Sequence, residues 1–474
     1  MDSPTSNPIM VRYLTMIGPS VQPEVSKAEP CRWSSLDFMS FLYKAYATLG
    51  SGIFVAGLPP FWLYTRLTGR FRKGLKERLG FVPLQEIRGG HPSRRIWIHA
   101  ASLGEVRVAR SITNHLVKLV PGCEVILSTN TDHGHDLGRK LFGSGSVIYA
   151  PFDFLPSVRK TLSAVKPGVM VFLETEIWPA WITETHRRGT PCALVHGRIS
   201  ARSIGKYLAF RPLFRDVLKK FNTFSMITEE DGHRIVDMGA DPKRVEVNGN
   251  AKHDLLASQA DPAIETRMQK LLNLKPFQPV FVGGSTREGE EEVLLSVYKK
   301  LSKEFPETLL VIAPRHIVRT SRIEALVRQQ GLEVQLWTDL VRPGVERTAP
   351  VVLVNTFGEL FKIYSVGTIV FCGASLVPLG GQNPLEPAVW GKMVFYGPSM
   401  EDFAEAKKLL EQERAGVEVK DAEAFAEQAL FFLNHQEELR EGGGRAREAV
   451  LRCQGASERH ARVIARLMRD FDPS

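Results

Sequence analysis

Short apolar runs alternate with longer amphipathic segments from residue 95 onward. Seven runs of strand length come before residue 250, namely RRIWIHA, CEVILST, VIYAP, KPGVMVFLE, TPCALVHG, FNTFSMIT and RVEVNGN. Between them apolar residues recur at helical spacing, as from Val106 to Val120. Near-continuous apolar strands that alternate with helices are typical of a parallel sheet covered on both faces. This part of the chain therefore predicts a doubly wound α/β domain.

The same alternation restarts after a polar, proline-containing stretch at residues 255–278, which we interpret as an interdomain linker. Five further strand-like runs follow, namely PVFVGG, TLLVIAP, VVLVN, TIVFCGAS and MVFYG. Helices are predicted from Glu288, Ser321 and Glu359, near Glu386, and then to the end of the chain. The simplest architecture is two Rossmann-like domains that face each other across a cleft. We place them at residues 67–262 and 275–440, with a C-terminal helical segment at 441–474.

The N-terminal part of the chain has a different pattern. Residues 1–36 are rich in Pro, Ser and charge, and we expect them to be disordered. The segment Ala45–Tyr64 contains no charged residue over twenty positions, which is about the length that spans a bilayer, so residues 37–66 are predicted to be a membrane anchor. The alternative is a buried N-terminal helix with a solvated basic face.

Charge extends the prediction of an anchor. Arg66–Arg78 holds six basic residues against one acidic residue, more than half of the net charge of +9. The positive-inside rule then places the following domains in the cytoplasm, at the inner membrane, with an anionic membrane surface as partner. Because this excess of positive charge is confined to one short stretch, it does not indicate a nucleic-acid-binding surface spread over a domain. The five cysteines are scattered without a CxxC pair, which indicates reduced thiols.

Polar residues at predicted strand ends are the candidates for chemistry, because ligands of open α/β sheets bind there. In the first half, HAASLGE places Glu105 at the start of a helix. Its carboxylate either complements the helix dipole or acts as a base, and spacing alone favours the dipole. ETEIWP adds two carboxylates, Glu174 and Glu176, beside an aromatic residue, a combination that suits sugar hydroxyls.

The second half has four polar strand-to-helix turns, namely VGGSTR, PRH, NTFGEL and GGQNPLEP. Glycines and helix starts of this kind favour phosphate, and Arg315 in PRH is able to bind a phosphate or carboxylate bidentately. Together the turns predict a nucleotide site, although there is no Walker A sequence. A metal site is not expected. DHGHD at residues 132–136 lacks zinc-like spacing and is interpreted as a polar loop, and no Asp-x-Asp pair is present.

Seven motifs in this order, HAASLGE, LETEIWP, NGNAKHD, GGSTREGEE, APRHIVR, NTFGEL and GGQNPLEPA, resemble the bacterial Kdo transferases. These enzymes attach 3-deoxy-D-manno-octulosonic acid (Kdo) to the lipid A precursor. The resemblance implies a GT-B fold, CMP-Kdo as donor and lipid IVA as acceptor. It also implies inversion at the anomeric carbon without a bound metal or other cofactor.

The resemblance also assigns residues. Glu105 matches the general base of the family, in place of the capping role that spacing favours, and the helix start is expected to hold it ionised. The matched CMP-binding positions are Pro314, Arg315, Phe357, Gly358, Glu359, Asn383, Pro384, Leu385 and Glu386. The matched positions lining the substrate cleft are Ser285, Arg287, Glu174, Glu176 and Lys252. Four positions depart from the usual family residues, namely Gln382 (His), Arg287 (His), Phe357 (Ile or Met) and His196 (Asn).

Two other functions fit the same residues. One is a GT-B transferase that uses a UDP-sugar on a lipid or polyprenyl acceptor, which UDP rather than CMP would inhibit. The other is a non-catalytic, membrane-tethered nucleotide-binding protein. The presence of Glu105, Arg315 and Glu386 together argues against the second alternative.

Overall fold

A computed structural model describes residues 73–83 and 94–470, together with isolated positions at 52, 56–57, 59–60 and 66–67. The predicted disordered extension, residues 1–36, lies outside the described residues. The predicted anchor, residues 37–66, lies outside them apart from those isolated positions. No helix of the described part of the chain is long and apolar enough to cross a membrane.

The first domain is built on a parallel sheet. Its seven described strands are Arg95–His99 (β1), Glu124–Thr129 (β2), Val147–Tyr149 (β3), Val169–Leu173 (β4), Cys192–Gly197 (β5), Thr223–Met226 (β6) and Val245–Val247 (β7). Their order is β3-β2-β1-β4-β5-β6-β7, and every pairing is parallel. All seven coincide with predicted strands; six of them are largely buried, and the edge strand β7 is half-buried.

Helices connect these strands and cover both faces of the sheet. They are Leu75–Arg78 (α1), Leu103–Leu119 (α2), Asp132–Phe142 (α3), Leu155–Val165 (α4), Pro179–Arg187 (α5), Ala201–Ala209 (α6), Arg211–Leu218 (α7), Glu229–Met238 (α8) and Ala251–Gln259 (α9). Alternate strand residues enter two separate cores: Trp97 packs on one face, while Ile96 and Ile98 pack on the other. The burial of both faces explains the continuous apolar strands.

The second domain repeats this architecture. Its strands are Val280–Thr286 (β8), Leu309–Pro314 (β9), Val334–Leu336 (β10), Val351–Leu353 (β11), Ile369–Cys372 (β12), Val394–Tyr396 (β13) and Gly416–Glu418 (β14). Their order is β10-β11-β9-β8-β12-β13-β14, again with parallel pairings. The sequence pattern missed β10 and β14, which are three-residue strands at the two edges of the sheet.

The helices of the second half complete the fold. They are Pro262–Leu271 (α10), Glu290–Glu304 (α11), Thr320–Gln329 (α12), Trp337–Leu340 (α13), Leu360–Ile363 (α14), Leu385–Ala388 (α15), Ala404–Gln412 (α16), Ala422–Asn434 (α17), Gln436–Arg452 (α18) and Ala456–Asp470 (α19). The predicted linker stretch contains α10, whose Met268 is buried in a core of the second domain. The chain thus forms the two Rossmann-like parallel-sheet domains that the sequence predicts.

The last helix, α19, returns to the first domain. Its residues Ile464 and Leu467 are buried in the core that also contains Ile98 and Ile112. Asp254 on α9 fixes the start of α19, since its two carboxylate oxygens accept the backbone N–H groups of Gly455 (2.7 Å) and Ser457 (2.6 Å). The C-terminal end of the chain is therefore part of the first domain.

One member of the predicted basic cluster is not available to a membrane. Arg78 is buried at 3% exposure. Its guanidinium donates to the Asn130 carbonyl at 2.7 Å and lies 4.7 Å from the ring centroid of Tyr149. These contacts fix Arg78 against the first domain, so the assignment of Arg78 to a surface facing headgroups was wrong. Lys73 and Lys76 of the same cluster are exposed.

Candidate active site

Some of the predicted site residues follow the strands at which the order of each sheet reverses. In the first sheet the reversal lies between β1 and β4, and in the second between β8 and β12. Such points form ligand-binding crevices at the carboxyl ends of the strands. Glu105 follows β1 and Glu174 follows β4, while Arg287 follows β8 and Glu386 follows β12. The topology thus brings the predicted residues to the crevice-forming edge of each sheet.

Glu105 is held by the N-terminus of its own helix. The Ser102 hydroxyl donates to one Glu105 carboxylate oxygen at 2.7 Å, and the Ala101 N–H donates to the other at 2.9 Å. Ser102 Oγ also accepts the Glu105 N–H at 3.3 Å, which resembles a capping box. Capping therefore describes part of the surroundings of Glu105. It does not exclude a role as a base, because a carboxylate oxygen has a second lone pair to accept a proton.

The environment of Glu105 strengthens it as a base. The residue is 6% exposed. Burial raises the pKa of Glu105, and the nearby charge of Glu174 raises that pKa further, against the hydrogen bonds from Ser102 and Ala101. Burial, and not the helix start, therefore has the largest effect on the pKa of Glu105, contrary to the expectation from the sequence. A carboxylate with a raised pKa is a better proton acceptor near neutral pH than an ordinary one.

Glu174 is paired with a cation from a distant motif. Lys252 Nζ donates to Glu174 Oε1 at 2.7 Å. His196 Nδ1 lies 3.8 Å from the same oxygen, but burial keeps the pKa of His196 well below its ordinary value, so the ring is neutral. Asn250 Oδ1 accepts from His196 Nε2 at 3.0 Å, which places the ring proton on Nε2. Lys252 is therefore the cation that compensates the charge of Glu174.

Glu176 has different partners and an opposite shift. Trp178 Nε1 donates to its carboxylate at 2.6 Å, and His99 Nε2 lies 3.3 Å from the same oxygen. Burial alone would raise the pKa of Glu176, but the hydrogen bond and charge of His99, together with the hydrogen bond from Trp178, outweigh burial and lower that pKa. The two environments thus shift the pKa values of Glu105 and Glu176 in opposite directions, a pattern typical of catalytic carboxylates.

Four residues other than glycine in the loops around the site have left-handed backbone conformations. Glu174 (φ 51°) and His196 (φ 54°) lie at strand ends of the first domain, and Ser285 (φ 54°) and Ala374 (φ 58°) lie at those of the second. Each such residue costs on the order of 1–3 kcal/mol and persists only where its surroundings enforce it. Four of the eight such residues in the described part of the chain therefore lie in the loops that form the site.

In the second domain, Glu290 organises the loop after β12. Its buried carboxylate accepts four backbone N–H groups at 2.8–3.0 Å, from Arg287, Ala374, Ser375 and Leu376. At the same place a Cβ on Gly373 would lie 2.7 Å from the Ser285 carbonyl oxygen, so only glycine fits. Glu290 therefore fixes the spacing between the GGSTREGEE turn and the loop that leads to GGQNPLEPA.

The neighbouring glutamate fixes the PRH loop. Glu291 is 1% exposed and binds Arg319 bidentately, with N–O distances of 2.9 and 2.8 Å, while also accepting from Thr286 Oγ1 at 2.7 Å. Beside this pair, Arg287 Nη1 donates to His316 Nε2 at 2.5 Å. The turn after β8 and the loop after β9 are thereby joined, and Arg315 projects from the joined edge.

Arg315 and Glu386 form the charged centre of the predicted nucleotide site. Arg315 is exposed, and its guanidinium makes no hydrogen bond or ion pair with any residue that the structure describes. Burial raises the pKa of Glu386 to about 7, and the charge of Arg315 opposes that rise. An arginine without a protein partner beside a half-buried carboxyl is suited to a ligand with both phosphate and hydroxyl groups.

The remaining predicted nucleotide residues lie in the surrounding turns. Asn383 Oδ1 accepts the Leu385 N–H at 3.2 Å and so fixes the start of α15, with Pro384 between them. Pro314 ends β9 and pairs in register with Thr286 of β8. Phe357 is 69% exposed beside Gly358, which has φ 89°. Glu359 forms an ion pair with Lys362, whose Nζ donates to both carboxylate oxygens at 3.0 and 3.1 Å.

Helix α9 connects the two halves of the site. It contacts α2, which contains Glu105, and α15, which contains Glu386. Lys252 at its start binds Glu174, while Leu256 and Ala257 pack against the core that contains Leu385. The carboxylates of the first domain and the nucleotide turns of the second are therefore placed on either side of one helix.

No group of three His, Cys, Asp or Glu side chains that could hold a metal ion occurs among the described residues. The interpretation of DHGHD as a polar loop was wrong, because these residues begin α3, which Thr131 caps by accepting the Gly134 N–H at 3.1 Å. His135 stacks on Tyr149 with ring centroids 4.1 Å apart. Its role there is packing.

Several residues that shape the site were missed by the sequence argument. His99 orients Glu176, Glu290 and Glu291 fix the turns of the second domain, and Asp254 fixes the start of α19. The motifs HAASLGE, GGSTREGEE and NGNAKHD contain all four. The signal was thus present as motif membership, but the contacts join residues that are far apart in sequence.

Comparison with known proteins agrees with this geometry. A family model described as 3-deoxy-D-manno-octulosonic-acid transferase (kdotransferase) matches residues 73–255. A 3-deoxy-D-manno-octulosonic acid transferase of Haemophilus influenzae is 28% identical over 393 residues, covering 82% of this chain and 90% of that protein. A bifunctional glycosyltransferase/methyltransferase of Fusobacterium nucleatum is 32% identical over 333 residues, covering 70% of this chain. This chain spans about half, 51%, of the length of that relative.

A solved structure shows the same fold. UDP-GlcNAc 2-epimerase from Neisseria meningitidis, bound to UDP-GlcNAc, superimposes with a TM-score of 0.55 at 15% identity, covering 79% of this chain and 100% of that chain. At this identity the likeness shows the GT-B-like fold alone. The family model and the aligned relatives show more, because they match the sequence of the carboxylate-bearing domain and most of the chain. Over residues 73–255 the chain is therefore similar to the 3-deoxy-D-manno-octulosonic-acid transferase family, and a transferase of that description aligns with most of its length.

Proposed function

We propose that the protein transfers Kdo from CMP-Kdo to a hydroxyl group of the lipid A precursor, lipid IVA, with inversion and without a metal ion. The observation that supports this best is the buried Glu105, whose pKa is raised, at the reversal point of the first sheet. Helix α9 contacts both α2, which contains Glu105, and α15, which contains Glu386. Arg315 follows β9 at the corresponding edge of the second sheet. A base and a nucleotide-phosphate site on opposite sides of a cleft are the parts that the reaction requires.

The proposed step is a single displacement. The acceptor hydroxyl oxygen attacks the anomeric carbon of Kdo, and its proton passes to the Glu105 carboxylate. The new bond joins that oxygen to the anomeric carbon, and the bond from the anomeric carbon to the phosphate oxygen of CMP breaks. CMP leaves with the electron pair of that bond, so the charge increases on the phosphate. Attack opposite to the leaving group inverts the anomeric configuration.

Arg315 is the group proposed to stabilise the departing phosphate. It is exposed and has no partner among the described residues, so binding costs no existing ion pair. A bidentate guanidinium is well matched to the oxygens of a phosphate, and its effect grows as charge develops. Glu386 and the turns at residues 357–359 and 383–385 would hold the ribose and the base. Phe357, being 69% exposed, is available to stack on the cytosine ring.

The other carboxylates are proposed to position the acceptor and the donor sugar. Glu176 is fixed by Trp178 and His99, and it keeps a lowered pKa, so it is available as an ionised acceptor for sugar hydroxyls. Glu174 and Lys252 form a pair that can rearrange around a charged group of a substrate. On the opposite side, Ser285 and Arg287 lie in the turn that faces the cleft.

The experiment that tests this function uses purified full-length protein with CMP-Kdo and tetraacyl disaccharide 4′-phosphate, followed by mass spectrometry. A product heavier by one or more Kdo units, formed only when CMP-Kdo is present, supports the proposal. CMP should inhibit the reaction and UDP should not. A product formed from a UDP-sugar instead would contradict the donor assignment. Nucleotide binding without any transfer would favour a non-catalytic binding protein.

For localisation we propose the cytoplasmic face of the inner membrane, with residues 37–66 as the anchor. The uncharged run at Ala45–Tyr64 and the basic residues that follow it support this. Deleting residues 1–64 should release a folded protein that still acts on a water-soluble, deacylated acceptor. A truncated protein that aggregates and binds a hydrophobic dye would show instead that the run is a buried core helix.

A further inference from the structure

Helices α6 and α7, with residues 201–220, form an amphipathic segment that leaves the first domain after β5. Its inner side is packed: Ile204, Tyr207 and Phe214 lie against the first core, and the rings of Tyr207 and Phe214 meet edge to face at 4.9 Å. Its outer side is not packed. Leu208 is 41% exposed and Phe210, at the junction of the two helices, is 64% exposed. The junction therefore presents large apolar side chains to solvent.

Positive charge surrounds these apolar side chains. The α6–α7 segment contains six basic residues against one acidic residue, Asp216. Asp216 is already paired with Lys220 in the same segment. Four of the other basic residues are exposed and form no ion pair with any described residue, namely Lys206, Arg211, Arg215 and Lys219. A strong positive excess around an exposed aromatic residue is typical of a surface that binds an anionic interface.

The α6–α7 segment also lies beside the candidate acceptor carboxylates. The loop that precedes it contacts the end of β4, since Thr175 Oγ1 donates to the Arg198 carbonyl at 2.7 Å and Arg198 N–H reaches the Glu174 carbonyl at 3.5 Å. Within the segment, Tyr207 lies close to Glu176: burial raises the pKa of Tyr207, and the charge of Glu176 raises it further. The exposed junction at Phe210 is thus three residues from a side chain that borders the site.

We propose that the α6–α7 segment docks the first domain on an anionic lipid bilayer. Phe210 and Leu208 enter the interfacial layer, while Lys206, Arg211 and Lys219 bind headgroup phosphates. The bilayer is favoured over an acidic protein partner because the charges surround an apolar tip that needs an apolar medium as well as anions. If the proposed function holds, docking brings the sugar of a lipid acceptor to Glu105 while the acyl chains of that acceptor stay in the bilayer.

The test places a reporter at the tip of the segment in the full-length chain. Cys31, Cys123 and Cys453 are replaced by Ser, and Phe210→Cys is labelled with the environment-sensitive fluorophore NBD. The matched control is Phe277→Cys, which is 88% exposed on the second domain. Vesicles contain phosphatidylcholine with phosphatidylglycerol, or phosphatidylcholine alone. We expect the emission at position 210 to shift to the blue and intensify on anionic vesicles only, and high salt to reverse it.

A charge variant tests the second half of the proposal. The substitutions Lys206→Gln, Arg211→Gln and Lys219→Gln together should reduce the ratio of docked to undocked reporter by about 100-fold, because each basic residue near an anionic surface strengthens binding about fivefold. These side chains are exposed, so the fold should be retained, which circular dichroism checks. The same substitutions made at Lys303, Arg328 and Arg447 should leave the reporter response unchanged.

Three results would overturn the proposal. They are an unshifted reporter on anionic vesicles, an equal response at position 277, and a blue shift that depends on protein concentration without vesicles, which would mean that two copies associate through this surface. The reporter needs no donor and no turnover. If the protein transfers no Kdo but the reporter docks, the proposed function is wrong and the docking proposal is supported. If transfer is observed but the reporter does not dock, the proposed function is supported and the docking proposal is wrong.

Discussion

Lys252 Nζ and Glu174 Oε1 form a 2.7 Å hydrogen bond between the start of α9 and the left-handed residue that follows β4. Glu174 in turn is the charged neighbour that contributes most to the raised pKa of Glu105. The cation of Lys252 therefore acts on Glu105 through Glu174. It limits how far the raised pKa of the proposed base extends above the ordinary range.

Replacing Lys252 by Met should raise the pKa of Glu105 further, because the charge of Glu174 is then uncompensated. The proposed base must be ionised, so the acidic limb of the pH profile of kcat/KM should move to higher pH. Lys252→Arg restores a cation and should restore the profile. An acidic limb that stays in place in Lys252→Met, with only the maximal rate reduced, would mean that Lys252 contacts substrate and does not tune Glu105.

Glu105→Gln separates catalysis from capping. Glutamine can still accept the Ala101 N–H and can donate its amide to Ser102 Oγ, so the helix start is kept. Transfer should fall by roughly 10²- to 10⁴-fold, with CMP affinity nearly unchanged in calorimetry. The matched variant is Ser102→Ala, which removes the cap and should cost about 1 kcal/mol of unfolding free energy while most activity remains. Preserved turnover in Glu105→Gln would leave capping as the only role of this carboxylate.

Arg315→Lys should weaken CMP binding. A lysine ammonium cannot reproduce the two parallel hydrogen bonds of a guanidinium, and one charged hydrogen bond corresponds to about 1.5 kcal/mol, or about tenfold in Kd. Arg328→Lys, on the outer face of α12 and paired with Glu324, is the control. Isothermal calorimetry with CMP measures both. Equal affinity in the two variants would show that Arg315 does not contact the phosphate.

Glu386 predicts a pH dependence of stability. Its pKa is raised from 4.5 in an unfolded chain to about 7 in the fold, so the folded state holds the extra proton between these values. The contribution of Glu386 to stability is therefore present below about pH 4.5 and is lost as the pH rises towards about 7. Urea unfolding should show this slope in the unsubstituted protein and not in Glu386→Gln. The slope should persist in the exposed control Glu423→Gln. Parallel curves for all three would contradict the raised pKa.

Hydrophobic pattern was sufficient for most of the fold. The central strands of the first domain are buried on both faces, so they appear in the sequence as apolar runs. The edge strands β10 and β14 have three residues each and half-buried or exposed side chains, so no periodicity distinguishes them from loops. DHGHD was misread because its polar residues suggest a loop, whereas Thr131 makes them the first turn of a helix.

The candidate site was predictable as motifs but not as contacts. Strand order places Glu105 and Glu174 at one reversal point, and strand ends alone could suggest that. The role of Glu290 could not be predicted, because three successive glutamates at a helix start are normally explained by the helix dipole. Its partners Ala374 and Leu376 lie 84 and 86 residues away. Only the pairing of β8 with β12 brings them together.

The return of α19 to the first domain leads to a prediction about stability. Asp254 accepts the N–H groups of both Gly455 and Ser457, one on each carboxylate oxygen. In Asp254→Asn one of these N–H groups would face an amide NH₂, which cannot accept, and an unsatisfied donor costs about 1–3 kcal/mol. Because Asp254 lies on α9 and its partners lie at the start of α19, the loss of this hydrogen bond should loosen both helices. Hydrogen exchange should therefore increase most in α9 and α19.

The matched control for this prediction is Asp421→Asn at the exposed start of α17. There a single oxygen accepts the Ala424 N–H at 2.8 Å, and an asparagine oxygen can replace it. We expect a cost of only a few tenths of a kcal/mol there, since Asn and Asp are similarly good caps. Urea unfolding of both variants measures the difference. If Asp254→Asn were no more costly than Asp421→Asn, the start of α19 would not be held by Asp254, and packing of Ile464 and Leu467 alone would fix the helix.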